Sequence, residues 1–485
     1  MNVEVLVIRV HEVRVGILFR YAPEGAAPVM RFVADETWAA ARPGTAPVLS
    51  QSFVAAQPEQ QRALLLNVLD ARFNGVAGRK GDWQLPSFFQ NLLPEGVFRD
   101  HVAQEAGCAP DDHFRMLAAC GLDLPGAVTA RWEDVDRATL ARLVTQEQDA
   151  LEMSVGAAPF QGAVSLSGVQ PKLAVLRDAN GRYVGRTKIH RTTGAPGTQD
   201  APDTHVIAKL PAVGYPRMPE VEDLSLRMAR AVGVNTCAHS LVPLSQLMEP
   251  HRYDLGDEAQ QHFLAVERFD RAPGGGLQAR VMCEDFAQVL SVPPEDKYSR
   301  SYAEIAAVLL ALPACGEPAV HELLRRLVVN ELIGNADAHL KNIGLIYRDG
   351  RTAELSPAYD VVALCLYGVK AGHALRLMPA HIAPSHAGGE PPSLLSPVMA
   401  RDFCRTLGIA PGPASAIVRQ TVLTAAKTWA SLIRASALTP QQKSTLLERV
   451  GRHVLTRQVL GRNPQLADEW RSGGEVTQPE AARAT

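Results

Sequence analysis

The sequence predicts an α+β chain in two lobes, a strand-rich half followed by a helix-rich half. Two patterns carry this prediction. Short β-branched runs separated by turns fill the first 270 or so residues, and from Glu284 onward apolar residues recur mostly at helical spacing. A polar loop and a short hairpin interrupt that second half.

The elements follow in order. Val3, Val5, Val7, Ile8 and Val10 form a first strand, His11–Glu12 a turn, Val13–Phe19 a second strand and Val29–Val33 a third. Leu85–Gly107 reads as helix, with Phe88, Phe89, Leu92 and Leu93 on its apolar face. A soft boundary falls near Ala130, after the Pro/Gly-rich stretch Leu122–Gly126. Asp136–Leu151 reads as helix, and Lys172–Leu176 and Tyr183–Lys188 as a hairpin across Asn180-Gly181. Arg191–Thr204 has the composition of a flexible loop, and His205–Leu210 is a further strand. Pro219 opens a helix carrying Val221, Leu224, Met228 and Val232, which Gly233 closes. Phe263–Phe269 is a strand ended by Arg271–Gly276. Ala319–Ile333 is a long amphipathic helix stopped by Gly334. A hairpin follows, Ile343–Tyr347 and Ala353–Leu355 around Asp349-Gly350. Helices resume from Pro397 to about Leu460, and no element is assigned to the polar tail from Arg462.

Composition narrows the function classes. At 485 residues and 46% hydrophobic content the chain has material for two or three domains. A net charge of −2 gives no sign of a nucleic-acid-coating or membrane-surface protein. The seven cysteines (Cys108, Cys120, Cys237, Cys283, Cys315, Cys365 and Cys404) form no C-x-x-C pair, which suits a reducing cytoplasm. The first residues lack a signal-peptide pattern, and the longest apolar stretches are too short to span a bilayer. A soluble, cytoplasmic protein with no membrane partner is expected.

Three features supply the parts that phosphoryl transfer needs: a placed nucleophile, bound metal and positive charge along the phosphates. The first is Asn335-Ala-Asp337-Ala-His339-Leu-Lys341-Asn342, between a long helix and a hairpin. Asp337 and Asn342 have the D-x-x-x-x-N spacing of protein kinases, where the aspartate handles the hydroxyl proton and the amide oxygen binds Mg²⁺. Lys341 is placed to neutralise charge on the moving phosphoryl group. Taken alone, the motif also reads as a helix end and a polar turn. The second is Asp360, which a returning strand can bring back beside Asn342 as a second Mg²⁺ ligand; it also reads as a helix cap. The third is Lys209 on an apolar strand, paired with Glu222 or alternatively Glu220 and aimed at the α- and β-phosphates; it also reads as a snorkelling edge lysine. The stretch Ser165-Leu-Ser167-Gly168-Val-Gln170-Pro-Lys172 has hydroxyls and backbone N–H groups suited to covering phosphates, and by composition also reads as a turn. His339 lacks a neighbouring metal ligand and reads as a loop-orienting residue.

These residues resemble the HipA kinases, the serine/threonine kinase toxins of bacterial toxin–antitoxin systems. The resemblance runs through Phe88–Pro94 (FFQNLLP), Gly121–Val128 (GLDLPGAV), Ser165–Lys172 (SLSGVQPK), Thr204–Pro211 (THVIAKLP) and Val266–Arg271 (VERFDR). It continues through Glu284–Tyr298, Leu332–Asn342 and Ser356–Val361, covering about residues 1 to 455. It implies a protein-kinase-like bilobal fold with an N-terminal β-rich HipA subdomain (1–130), a kinase-like N-lobe (131–272), a helical C-lobe (273–461) and a flexible tail (462–485). It implies ATP and Mg²⁺ as cofactors, Asp337 as base, Asn342 and Asp360 as metal ligands, and Lys209 with Glu222 at the phosphates. Ser167, Gly168, Gln170 and Lys172 would belong to the covering loop, with Glu267 and Phe269 beside adenine. Ser165, with Ser167 as a second hydroxyl, would be the site of autophosphorylation.

A helix-turn-helix antitoxin of the HipB type, a protein substrate such as an aminoacyl-tRNA synthetase, and DNA only through the antitoxin are the implied partners. Ala338 stands where many relatives have glycine, and Pro171 where some have an acidic residue. The chain is expected to be complete without a separately encoded half. Two other classes compete: a catalytically weak, antitoxin-bound regulator of DNA binding, and a small-molecule kinase. The joint presence of Lys209, Asp337, Asn342 and Asp360 argues against the first, and the matches outside the catalytic loop against the second.

Overall fold

The computed structural model describes residues 3–21, 28–42, 44–77, 83–133, 170–185, 204–248, 255, 262–272, 279–369, 373–379 and 395–471. The expected helix Asp136–Leu151, most of the expected loop after Arg191, and Ser165, Ser167 and Gly168 lie outside these residues. The chain folds as two compact units. The first comprises Met1–Pro219, Cys237–Ser299 and His339–Pro357; the second comprises Glu220–Thr236, Arg300–Ala338 and Ala358–Thr485.

The first unit contains the sheets. An antiparallel four-stranded sheet runs in the order Val29–Ala34, Val13–Tyr21, Val3–Val10, Val128–Trp132. Its alternating valines bury one face, as period-two patterning requires. The last strand places Ala130 opposite Ile8, so the soft boundary at Ala130 falls inside this sheet. Behind it Phe32, Phe53, Phe73, Phe88 and Phe89 pack with ring centroids 5.0–6.1 Å apart. The helix expected over Leu85–Gly107 is instead two, Ser87–Gln90 and Gly96–Ala106. Pro94 lies in the break; a proline lacks the N–H that would continue a helix. The break presents Asn91 and Glu95 between the two pieces.

A second antiparallel sheet runs His239–Pro243, His262–Glu267, Thr204–Lys209, Lys172–Arg177, Tyr183–Gly185. The Asn180-Gly181 turn forms as expected, with Gly181 left-handed (φ 74°) and Asp178 accepting from the Asn180 and Arg182 N–H groups. The strand His239–Pro243 was not foreseen, because its short apolar run ends in proline. The hairpin expected over Ile343–Tyr347 and Ala353–Leu355 forms over Gly344–Tyr347 and Glu354–Leu355 and gains a third strand, Met282–Asp285, where the pattern from Glu284 predicts helix. Asp285 then opens the short helix Phe286–Val289 through a capping box with Gln288.

The second unit is helical. It includes nearly all of Met218–Ala231, then Tyr302–Ala311, Gly316–Ile333, Pro397–Leu407, Pro411–Ala435, Pro440–Arg452 and Val454–Leu460. The fully buried Trp429 donates its indole N–H to the Met228 carbonyl at 2.9 Å, joining Pro411–Ala435 to Met218–Ala231. A further helix, Pro464–Arg471, forms where the tail was expected to carry no element. Trp470 anchors it by donating to the Ala426 carbonyl at 2.8 Å.

Candidate active site

In the first unit the anion-binding candidates converge on one sheet. Lys209 ends Thr204–Lys209 and stands directly opposite Lys172 on the neighbouring strand. Directly paired residues on antiparallel strands project to the same face, and both of these lysines are buried. Gln170 donates to the Leu210 carbonyl at 2.9 Å, and the Leu210 N–H donates to the Pro171 carbonyl at 2.9 Å. The described end of the expected covering loop is thus tied down beside Lys209. On the other neighbouring strand Leu264 faces Lys209 and Glu267 faces Val206. At about 3.3 Å per residue, Glu267 lies roughly 10 Å along the sheet from Lys209, about the reach from a purine to its phosphates. The Glu267 carboxylate accepts from Arg177 at 2.8 Å, and Phe269 is half-buried just beyond it.

The same unit holds the second half of the motif. The short turn Leu340–Asn342 leads into the strand Gly344–Tyr347. Lys341 is buried, and its ammonium donates to the Asn91 carbonyl (3.0 Å), the Asn91 side-chain oxygen (3.1 Å) and Asp285 (3.0 Å), with Glu95 at 3.6 Å. An ammonium has three donors, so these are turned to protein oxygens. In this structure the Lys341 ammonium thus faces Asp285 and Glu95 together with Asn91. Burial works against the charged form of Lys341, and Asp285 and Glu95 overcome it, holding its pKa above the ordinary value. Burial likewise opposes ionisation of Glu95, and Lys341 and Lys297 overcome it, keeping that carboxyl below its usual range. His339 meets Tyr298 edge-on at 5.0 Å.

The second unit holds Asp337, Asp360 and Glu222. Gly334 closes the helix Gly316–Ile333 in the left-handed region (φ 70°), and the Asn335 N–H returns to the Asn330 carbonyl at 2.8 Å. The Asn335 side chain donates to Asn330 Oδ1 (3.0 Å) and accepts from the Asp337 N–H (3.2 Å). The Tyr302 hydroxyl donates to the Ala338 carbonyl at 2.9 Å. Asp337 therefore sits half-buried on a turn held from both sides. Burial, and to a lesser degree the nearby Asp337 carboxylate, push the Tyr302 phenol up from its ordinary pKa. Asp360 has φ 52°, a left-handed backbone that aspartate tolerates better than most residues. Its segment is fixed by the Ala358 N–H to Asn235 O (2.7 Å) and the Ala363 N–H to Ser225 Oγ (3.2 Å). Ser225 lies one turn along from the fully buried Glu222, and Glu220 is also buried.

Two motifs of the resemblance have a structural explanation that sequence reasoning missed. Arg268, Asp270 and Arg271 form a buried ionic network with Asp123: Arg268 donates to Asp270 at 2.9 and 2.7 Å, and Arg271 donates to Asp270 (2.7 Å) and Asp123 (2.8 Å). The Gly126 N–H donates to Asp270 at 2.9 Å. The charged residues of these motifs, Asp123 in one and Arg268, Asp270 and Arg271 in the other, were the available signal. Among the described residues no cluster of histidine, cysteine or carboxylates forms a metal site, and no helix is long and apolar enough to cross a membrane.

Comparison with known proteins matches residues 164–429 to the HipA-like C-terminal domain and residues 6–131 to the HipA N-terminal domain. The chain belongs to the HipA family. The N-terminal HipA domain contributes Asn91, Glu95, Asp123 and Gly126; the C-terminal one contributes every other site residue named above. The chain is 39% identical over 284 residues to the putative kinase Y4dM of Sinorhizobium fredii, covering 58% of this chain and 63% of that one. It is 28% identical over 307 residues to the serine/threonine-protein kinase toxin HipA of Shewanella oneidensis, covering 59% and 64%. The match thus spans less than two thirds of these curated relatives. The solved Shewanella oneidensis HipA, in a complex with HipB and its operator DNA, superposes with a TM-score of 0.60 at 19% identity over 96% of this chain and 99% of that one. The fold is therefore the mixed α+β fold of HipA.

Proposed function

We propose that this HipA-family chain is an ATP-dependent serine/threonine protein kinase of a toxin–antitoxin pair. The observation that carries the reading is the Asn335–Asn342 motif inside the matched HipA domain, with Asp337 held on a turn by Asn335. Further support comes from the two buried lysines, Lys172 and Lys209, on one sheet face: paired ammonium groups suit a polyphosphate. Asn342 and Asp360 offer only oxygen donors, the chemistry that Mg²⁺ selects.

The roles follow from those groups. Lys209 and Lys172 hold the phosphates of ATP, and Glu222, on the helix after Lys209, belongs to the same nucleotide-binding reading. The backbone beyond Glu267, beside Phe269, receives adenine. Asp337 accepts the proton of the serine or threonine hydroxyl. Asn342 and Asp360 would each offer an oxygen donor to Mg²⁺, which would supply charge neutralisation at the transferring phosphate. Autophosphorylation at Ser165 or Ser167, in the segment leading to Gln170, belongs to the same reading. So do a HipB-type helix-turn-helix antitoxin, DNA contact only through it, and a protein substrate in translation such as an aminoacyl-tRNA synthetase.

Phosphopeptide mapping of the full chain after incubation with Mg-ATP tests this. Wild type should carry phosphate on Ser165 or Ser167, and Asp337→Asn should carry none. Undiminished transfer by Asp337→Asn overturns the assignment of the base; a wild type that phosphorylates neither itself nor any protein overturns the kinase reading.

A further inference from the structure

The catalytic motif and the N-terminal HipA domain are joined by Lys341, whose ammonium donates to the main-chain carbonyl and the side-chain oxygen of Asn91, 250 residues earlier. Asn91 is built for this contact. Its amide nitrogen donates to the Ser87 carbonyl at 2.9 Å and the Val292 carbonyl at 2.8 Å, which fixes the side-chain oxygen towards Lys341. Asp285 divides its two oxygens, one capping the helix at Gln288 (2.9 Å) and one accepting from Lys341 (3.0 Å). Glu95 stands 3.6 Å from Lys341 and 3.3 Å from Lys297. Lys297 in turn offers its carbonyl to the Leu340 N–H at 3.2 Å, so the segment is held both at its lysine and at the residue before it.

We propose that Asn91 and Glu95 are positioning residues for phosphoryl transfer, acting through Lys341 to set the place of the adjacent metal-ligand candidate Asn342. The inference rests on the kinase reading above and adds that the N-terminal HipA domain supplies part of the alignment of the catalytic loop. Neither residue touches substrate. A buried ammonium with fixed acceptors leaves the neighbouring peptide little freedom, and an amide ligand displaced by a fraction of an ångström coordinates poorly. Removing Lys341 itself would leave the partly buried Asp285 and Glu95 without their cation and endanger folding. Asn91→Ala is gentler, because the Asn91 carbonyl remains; Glu95→Gln keeps shape and removes only charge.

The test compares wild type, Asn91→Ala and Glu95→Gln as full chains, with steady-state ATP kinetics, a magnesium titration and hydrogen exchange of residues 339–343. Displacement of Asn342 should lower kcat about 10- to 100-fold and raise the magnesium needed for half-maximal rate, with KM for ATP within about twofold of wild type. Exchange of 339–343 should rise while that of Thr204–Lys209 stays put. A general loss of structure would instead move KM and both exchange segments together, and that result overturns the proposal. Variants with wild-type kcat and magnesium dependence also overturn it, leaving the kinase reading intact. A wild type that turns over no ATP overturns the kinase reading and this role with it, whereas the exchange data still report whether Asn91 holds the segment.

Discussion

Glu284 lies fully buried on the strand Met282–Asp285, accepting hydrogen bonds from the Ser50 hydroxyl (2.7 Å), the Gln51 N–H (2.8 Å) and the Tyr347 hydroxyl. Burial dominates over these donors and raises its carboxyl from the ordinary 4.5 to about 7. Between those values the folded protein holds a proton that the unfolded chain has released. Its contribution to stability is therefore complete below pH 4.5 and is lost as pH rises through 7. Glu284→Gln, which cannot ionise, should gain on wild type by about 1–3 kcal/mol between pH 5 and pH 8. Thermal melts of both proteins across that range check it; a constant difference contradicts the assignment. Sequence spacing singled out Asp337 and Asn342 as candidates, because the D-x-x-x-x-N pattern is local in sequence. It could not assign Lys341 its partners: adjacency along the chain does not say which oxygens an ammonium meets, and Asn91 and Asp285 come from remote segments. Glu284 was equally illegible, since only the folded strand removes it from water.

At the scale of elements, the helix Met218–Ala231 carries Glu222 and ends with backbone carbonyls that need donors. Trp429, on the long helix Pro411–Ala435, gives its indole N–H to one of them, that of Met228. Trp429→Phe removes this donor and part of the buried ring, and should cost about 2–4 kcal/mol. It should appear as a lowered melting transition by circular dichroism; an unchanged melt would show that the ring only fills space. Helices with full apolar periodicity and a glycine stop, such as Gly316–Ile333, were legible because those two signals agree. The break in Leu85–Gly107 was not, although Pro94 marked it, because the flanking leucines and phenylalanines keep a helical rhythm. Pro464–Arg471 escaped for a related reason: Trp470 finds a distant acceptor in the Ala426 carbonyl, and a polar sequence gives no sign of that.

For the molecule as a whole, the order of strand-rich and helix-rich segments was sufficient to place the chain in the α+β class, and the matched HipA domains agree. The grouping of residues into compact units was less legible, since each unit is assembled from separated stretches. Lys172, Lys209, Lys341 and Asn342 belong to the first unit; Glu222, Asp337 and Asp360 belong to the second. The proposed chemistry assigns binding roles within both, and it separates binding from transfer: Asp337 acts on the hydroxyl, whereas Lys209 and Asp360 act on the nucleotide and its metal. Calorimetric titration of the full chain with ATP, with and without magnesium, tests that separation most directly. The account predicts magnesium-dependent binding that Asp337→Asn retains and that Lys209→Met and Asp360→Ala each weaken about tenfold or more. ATP binding equally tight without magnesium, or unaffected by loss of Lys209 and Asp360, would contradict it.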